Sequence, residues 1–216
     1  AGGYDEVVLA TGVTPRMPKI DGIDHPKTLM YTDVLRHDAP VGKSVAVIGA
    51  GGIGFDISEF LVQDESPTLD ADAWRKEWGV DLSVKTPGGL VPKTPEPPVR
   101  TVYLLQRKAE KLGKRLGKTS GWVHRTSLMD KQVHMLGDVS YDRIDDQGLH
   151  LFVGGEPRLL EVDNVIICAG QEPLRALQAD LEAGGSKVHL IGGADVAAEL
   201  DAKRAIRQAS ELAAAI

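Results

Sequence analysis

The stretch from Ser44 to Leu61, SVAVIGAGGIGFDISEFL, constrains the fold more than any other part of the chain. It reads as a buried strand over 44–48, a glycine turn, and a helix from about Ile53 to Val62. Ile53, Ile57, Phe60 and Leu61 fall at helical spacing. In Gly49-x-Gly51-x-x-Gly54, the first glycine permits a tight strand-to-helix turn and the second lets backbone approach a pyrophosphate. The third allows the helix to pack closely on the strand, and the helix N-terminus offers free N–H groups to an anion. Such a string alone is a weak signal. Placed after a clear strand and before a clear helix, it points to dinucleotide binding, with a purely structural glycine turn as the competing reading.

A dinucleotide fold commonly carries a carboxylate about twenty residues further on, at the end of its second strand. Here that count lands between Trp74 and Glu77, inside a segment that interrupts the pattern. Glu77 is therefore read as part of a solvated helix face. The second strand is expected at Thr101 to Leu105, and its end reads Gln106-Arg107-Lys108. No carboxylate stands there for a ribose 2′-hydroxyl, whereas two cations could receive a 2′-phosphate. This favours NADPH over NADH. The competing reading is an ordinary charged strand end.

The rest of the chain alternates strands and helices. YDEVVLATGVTPRMP predicts a buried strand over Glu6 to Ala10 ended by a turn, and YTDVLRHDAP a short helix capped by Thr32 or Asp33. DADAWRKEWGVD predicts a helix with Trp74 and Trp78 on one side, and the five prolines of TPGGLVPKTPEPPV a loop. GKTSGWVHRTSLMDKQ is expected to be helical in its second half, and VHML, VSYDRI and GLHLFV short strands. KVHLIGGADVAAELDAKRAIRQASELAAAI should give a strand, a glycine turn and a long final helix, with Asp201 as N-cap. DEVVLATGVTP and DNVIICAGQEP repeat one logic on either side of the glycine-turn unit: acidic residue, buried strand, small-residue turn, proline. The expected architecture is α/β, a mainly parallel, Rossmann-like, three-layer sheet, with one nucleotide-binding domain (41–164) inserted into parts of another (1–40 and 165–216).

Net charge is −6, from 25 basic and 31 acidic residues, and no long basic stripe interrupts the chain. That argues against a nucleic-acid partner. The single cysteine, Cys168, allows no intrachain disulfide, CxxC redox pair or cysteine-held metal, and its apolar surroundings read it as a small buried hydrophobe. No apolar stretch reaches membrane-spanning length and no signal peptide is evident, so a soluble cytoplasmic protein is expected, without membrane partner. The opening AGGYDEVVLATG lacks a Met and runs at once into a strand, which suggests a fragment.

VAVIGAGGIGFD, LLQRK, LGKTSGWVHR, DDQGLHL, VDNVIICAGQEP and VHLIGGADVAAELDAKRAI together resemble the C-terminal region of bacterial NADPH-dependent 2,4-dienoyl-CoA reductases, over nearly the whole chain. The resemblance implies a relay in which NADPH reduces FAD, and electrons pass through a cysteine-ligated 4Fe–4S cluster to FMN in an N-terminal flavin barrel. The FMN then reduces a dienoyl-CoA thioester. Barrel, cluster and the first half of the FAD domain would lie outside this chain, since one cysteine cannot supply four ligands. The glycine turn would then belong to the inserted NADPH domain.

Carried over by residue, the resemblance implies that Gly49, Gly51, Ile53 and Gly54 contact the NADPH pyrophosphate and Arg107 and Lys108 its 2′-phosphate. Ala169 and Gly170 would lie where the nicotinamide half turns towards the flavin. Ala10, Thr11 and Gly12 would form a small turn near FAD, and Asp195 would accept a hydrogen bond from its ribityl chain. The first turn of the final helix, with Arg204 and Ala205, would offer N–H groups to the flavin pyrimidine edge. For Asp195 a turn-forming role after two glycines competes. GKTSGWVHR is only superficially a phosphate loop, because Gly113 and Gly117 are four apart rather than five. Lys118, Trp122, His124 and Arg125 receive no role, and His124 reads as a helix-surface residue. No acid–base catalyst and no metal ligand is expected, since hydride transfer between two rings needs alignment rather than a protein proton donor. The alternative function is a non-catalytic module holding ADP, as thought for flavin-barrel amine dehydrogenases. Disulfide reductases share the plan but need a CxxC that these residues lack.

Overall fold

The structure is a computed structural model that describes residues 3–198 and 202–216. It divides into two compact units, Met17–Ala169 and the pair of segments Ala1–Arg16 and Gly170–Ile216. In chain order, β1 (Glu6–Leu9) and β2 (Val13–Pro15) open the smaller unit. The larger unit then runs β3 (Thr28–Met30), α1 (Tyr31–Arg36), β4 (Ser44–Ile48), α2 (Gly52–Leu61), α3 (Ala71–Trp78), β5 (Thr101–Leu105) and α4 (Gly121–Asp130). It continues through β6 (His134–Leu136), β7 (Val139–Asp145), β8 (Gly148–Val153), β9 (Glu156–Leu160) and β10 (Asn164–Ile167). The chain returns to the smaller unit with β11 (Gln171–Pro173), α5 (Gln178–Ala183), β12 (Lys187–Leu190) and α6 (Ala202–Ala213). The Asp201 cap falls outside the described residues.

The spine of the larger unit is a five-stranded sheet in the order β3-β10-β4-β5-β6, parallel throughout. Both faces of its central strands are buried, which is why they read as continuous apolar runs instead of alternating ones. In β4, Val45 and Val47 face a cluster built with Phe55, Ile57 and Leu61 of α2 and Leu128 of α4. Ala46 and Ile48 face the opposite way, into a cluster with Ile144, Leu149, Leu151 and Leu160 of the antiparallel sheet β7-β8-β9. The result is three layers: helices, parallel sheet, antiparallel sheet. Each large side chain so buried contributes about 1.5–3 kcal/mol.

Strand β9 has no counterpart in the sequence reading. Gly154 and Gly155, both at positive φ, make a two-residue hairpin that returns the chain along β8. Pro157 masks the strand in the sequence but is tolerated because β9 is an edge. Helix α1 also corrects an expectation: its N-cap is Met30, and Asp33 sits at the third helical position, its carboxylate accepting from the Met30 N–H at 2.8 Å.

The start of β4 is tied to the approach to β10 by Asp163, whose exposed carboxylate accepts from the N–H groups of Ser44 (2.9 Å) and Lys43 (2.7 Å). These bonds hold its pKa below the usual carboxylate value, because they favour the charged form. A lowered folded-state pKa gives stability that is present above the unfolded-state value and lost as pH falls through the folded one. Asp163→Ala should therefore lower the urea midpoint at pH 7, with the gap from wild type closing as pH drops below 3.8. A gap that persists in acid would assign the loss to packing.

The segment 64–98 brings the second correction. Helix α3 is capped by the Asp70 carboxylate, which accepts from the Asp72 and Ala73 N–H groups. Glu77 on this helix is not solvated: it is 7% exposed and meets Lys131, itself 4% exposed, at 3.1 Å. The Lys131 Nζ also donates to the Glu96 carbonyl at 3.0 Å. Counting along the sequence could not show that the C-terminal end of α4 lies over this face of α3. On the same helix Trp74 stacks on Trp78, and Trp78 meets Trp122 edge-on.

In the smaller unit β1 pairs in parallel with β12, and β2 pairs antiparallel with β11. Among the described residues no helix is long and apolar enough to cross a membrane.

Candidate functional site

The glycine turn after β4 has three distinct environments. Gly49 adopts a φ of +111°, and a Cβ there would stand 2.3 Å from the Cys168 carbonyl oxygen at the end of β10. Its N–H donates to the Leu105 carbonyl at 3.0 Å, so the turn is anchored to both neighbouring strands. A Cβ on Gly54 would come within 1.8 Å of the Gly49 carbonyl oxygen, which makes this glycine the close-packing contact between α2 and the turn. Gly51 and Gly52 differ: a Cβ on either would meet nothing within 4 Å. Gly51 is the N-cap of α2, in extended conformation. The N–H groups of the first helical turn have no carbonyl one turn earlier to bond within the helix. The turn thus combines two packed glycines with an open approach to a helix N-terminus, a cradle that fits a pyrophosphate. Ile53 sits in the first turn and packs on the core beneath.

Arg107 and Lys108 follow β5 and are both exposed. Of the cations between 107 and 118, Lys114 and Arg115 pair with Glu110 at 3.4 and 3.2 Å, whereas Arg107 and Lys108 have no carboxylate partner among the described residues. Tyr141 of β7, which the sequence reading did not single out, lies close enough to feel the Arg107 charge. Burial pushes its phenol well above the ordinary value of 10, against the pull of that cation. A half-buried phenol in an alternating strand carries no sequence signal of this neighbour.

Ala169 packs on the core of the larger unit. Gly170 opens the returning segment of the smaller one, at a φ of +98°, and its carbonyl accepts from the Arg16 N–H at 3.0 Å. Cys168 is 8% exposed, and burial pushes its thiol up to about 12, so it stays protonated and unreactive at neutral pH. The sequence reading of a buried hydrophobe holds.

In the smaller unit, Ala10, Thr11 and Gly12 link β1 to β2. The Thr11 hydroxyl donates to the Leu174 carbonyl, and the Leu174 N–H to the Gly12 carbonyl at 3.0 Å. A Cβ on Gly193 would lie 3.1 Å from the Gly12 carbonyl carbon, so the two glycine turns touch. Asp195 accepts from the Gln208 side chain through Oδ2 at 2.8 Å. The Arg204 guanidinium donates to the carbonyls of Gly192 (3.3 Å) and Val196 (2.7 Å), so it closes the 192–196 turn on α6. Ala205 is the nearest neighbour a Gly192 side chain would meet.

The four residues left without a role fall into place structurally. Arg125 donates to the Leu112 carbonyl at 2.6 Å. His124 and Ser127 both meet Glu59 of α2, each at 3.2 Å, which ties α2 to α4. Trp122 is 63% exposed at the edge of the tryptophan cluster, and Lys118 lies exposed on the turn before α4. Among the described residues no three His, Cys, Asp or Glu side chains gather as a metal site would require.

The profile of the pyridine nucleotide-disulphide oxidoreductases matches residues 2–203. The chain belongs to this family. Among relatives of the family is a metal reductase of Desulforamulus reducens, 25% identical over 89% of the chain and 28% of its own length. In structure the chain resembles 2-naphthoyl-CoA reductase, with a TM-score of 0.69, 21% identity, and coverage of 94% of this chain and 25% of that one. It also resembles 6-hydroxypseudooxynicotine amine oxidase from Pseudomonas geniculata, with a TM-score of 0.67, 18% identity, and coverage of 95% and 28%. The chain therefore spans about a quarter of the length of such relatives. Membership of this oxidoreductase family agrees with the α/β, mainly parallel, Rossmann-like fold of the larger unit. The disulphide half of the family name finds no dithiol here, since the sequence holds one cysteine and that one is buried.

Proposed function

We propose that this chain is the electron-input region of a flavin oxidoreductase, taking reducing equivalents from NADPH to FAD. The observation that carries the reading is the end of β5, where two exposed cations without carboxylate partners stand in place of a ribose-binding acid. When bound, NADPH supplies a hydride and FAD accepts it. The chain's own contribution is binding and alignment. Gly49 and Gly54 fix the turn, Gly51 leaves room for the pyrophosphate, and the first turn of α2, including Ile53, offers its N–H groups and positive dipole end. Arg107 and Lys108 hold the 2′-phosphate, while Ala169 and Gly170 leave little bulk at the turn after β10. Ala10, Thr11, Gly12 and Asp195 are assigned to FAD, together with the first turn of α6 at Arg204 and Ala205.

The end acceptor, a 2,4-dienoyl-CoA thioester, rests on the motif resemblance, as do an FMN barrel and a 4Fe–4S segment as partners elsewhere in the protein. The domain division at 40 and 165 and a cytoplasmic site belong to the same proposal. The alternative is an adenosine-holding module without turnover.

Replacing Arg107 and Lys108 together by Gln should weaken NADPH tenfold or more and NADH less than twofold, read by titration calorimetry with NADPH, NADH and ADP in parallel. Equal losses for NADPH and NADH would remove the 2′-phosphate assignment. ADP binding as tightly as NADPH in the unmodified protein would favour the adenosine-holding module.

A further inference from the structure

Gln106 makes more hydrogen bonds than any role so far assigned to the β5 end requires. Its N–H donates to the Leu136 carbonyl at 2.8 Å, and its carbonyl accepts from the Val139 N–H at 3.1 Å. Its carboxamide Nε2 then donates both protons forward, to the Lys108 carbonyl at 2.9 Å and the Glu110 carbonyl at 2.7 Å. The Lys108 carbonyl accepts a second bond from the Asp138 N–H at 3.2 Å. One side chain thus ties the loop 107–110 back on the strand that precedes it, and a backbone group from the β6–β7 turn completes the tie.

We propose that Gln106 is a positioning residue for 2′-phosphate recognition. It sits where the fold commonly places the ribose-binding carboxylate. Its amide is committed to the loop backbone, where its two N–H groups hold the Lys108 and Glu110 carbonyls beside the exposed Arg107 and Lys108. Only a primary amide meets this geometry at that reach. An acid of the same size has no proton to give and would set a negative charge against two carbonyl oxygens. Holding Glu110 has a second effect: its carboxylate stays with Lys114 and Arg115, which keeps it from neutralising Arg107 and Lys108. Selectivity for the phosphorylated cofactor is therefore built into the residue before the cations as well as into the cations themselves.

This inference rests on the reading of the β5 end as a 2′-phosphate site, and the test separates the two. Dissociation constants for NADPH and NADH are measured for the protein, for Gln106→Ala, for Gln106→Glu, and for each variant combined with the Arg107→Gln, Lys108→Gln pair. NADH affinity reports that the glycine-turn unit remains folded. The expected result is a fivefold to tenfold loss of NADPH affinity in Gln106→Ala, a larger loss in Gln106→Glu, and NADH within twofold in both. Neither variant should cost further NADPH affinity once Arg107 and Lys108 are gone, since residues acting through one another are non-additive. Unchanged NADPH binding in Gln106→Ala, equal losses for both cofactors, or losses that add fully to those of the cation pair would each overturn the proposal. If the unmodified protein itself shows no preference for NADPH, the site reading fails together with this inference. If it shows that preference and Gln106→Ala keeps it, this inference alone fails.

Discussion

Gly54→Ala is expected to disrupt the β4–turn–α2 unit, whereas Gly51→Asn should leave it standing and weaken nucleotide binding. The two positions share a motif and differ in what surrounds them. A methyl on Gly54 would be driven to 1.8 Å from the Gly49 carbonyl oxygen, and that oxygen belongs to backbone anchored on both sides. It cannot rotate away as a flexible side chain would. The helix must shift instead, and Phe55, Ile57 and Leu61 shift with it out of a packed core. The cost is about 3 kcal/mol or more, at the upper end of overpacking effects. Gly51 has an extended backbone that any residue can adopt and open space where a side chain would go. Asn is a better N-cap than glycine, so the variant should be unchanged in stability or gain a few tenths of a kcal/mol. Its side chain would occupy the approach to the helix N-terminus, and affinity for NADPH and NADH should fall tenfold or more. Urea unfolding and calorimetry on the two variants check both arms. If Gly51→Asn binds as tightly as the unmodified protein, no pyrophosphate passes over this turn.

What the sequence made legible follows from how local each signal is. Strands β4 and β5 and the helix after the glycine turn were readable to within a residue, because continuous apolar runs, glycines and helical spacing are written in consecutive positions. Strand β9 was hidden by Pro157, which only an edge strand tolerates, and its edge position is a property of the sheet. Glu77 was misread for the same kind of reason: its partner Lys131 lies more than fifty residues away, and nothing next to either residue announces burial. The cations at 107 and 108, to which the proposed function gives the 2′-phosphate, are visible as residue types. The amide of Gln106 is visible there only as a polar residue, since its two bonds go to carbonyls that the sequence does not display.

The Glu77–Lys131 pair yields the other large effect. Removing one partner should destabilise the larger unit by about 3–5 kcal/mol, because the remaining charge stays buried without compensation. Lys131 has a second bond, to the Glu96 carbonyl, so Glu77→Ala leaves an ammonium that is only partly satisfied, and Lys131→Ala leaves a carboxylate with no cation. Replacing both, as Glu77→Leu with Lys131→Met, removes the two charges together and keeps their volume. That variant should lie within about 1 kcal/mol of the unmodified protein or exceed it, as double replacements of buried pairs often do. Chemical unfolding of the two single variants and the double one measures the coupling directly. The pair joins the end of α3 to the end of α4, and the Glu96 bond brings in the proline-rich loop, so the single variants should also loosen the segment 64–98. Faster hydrogen exchange at the amides of α3 and of Thr94, whose N–H donates to the Lys76 carbonyl, would register that loosening. Unchanged exchange there, alongside a large loss of global stability, would show that the ion pair supports the core without anchoring the segment.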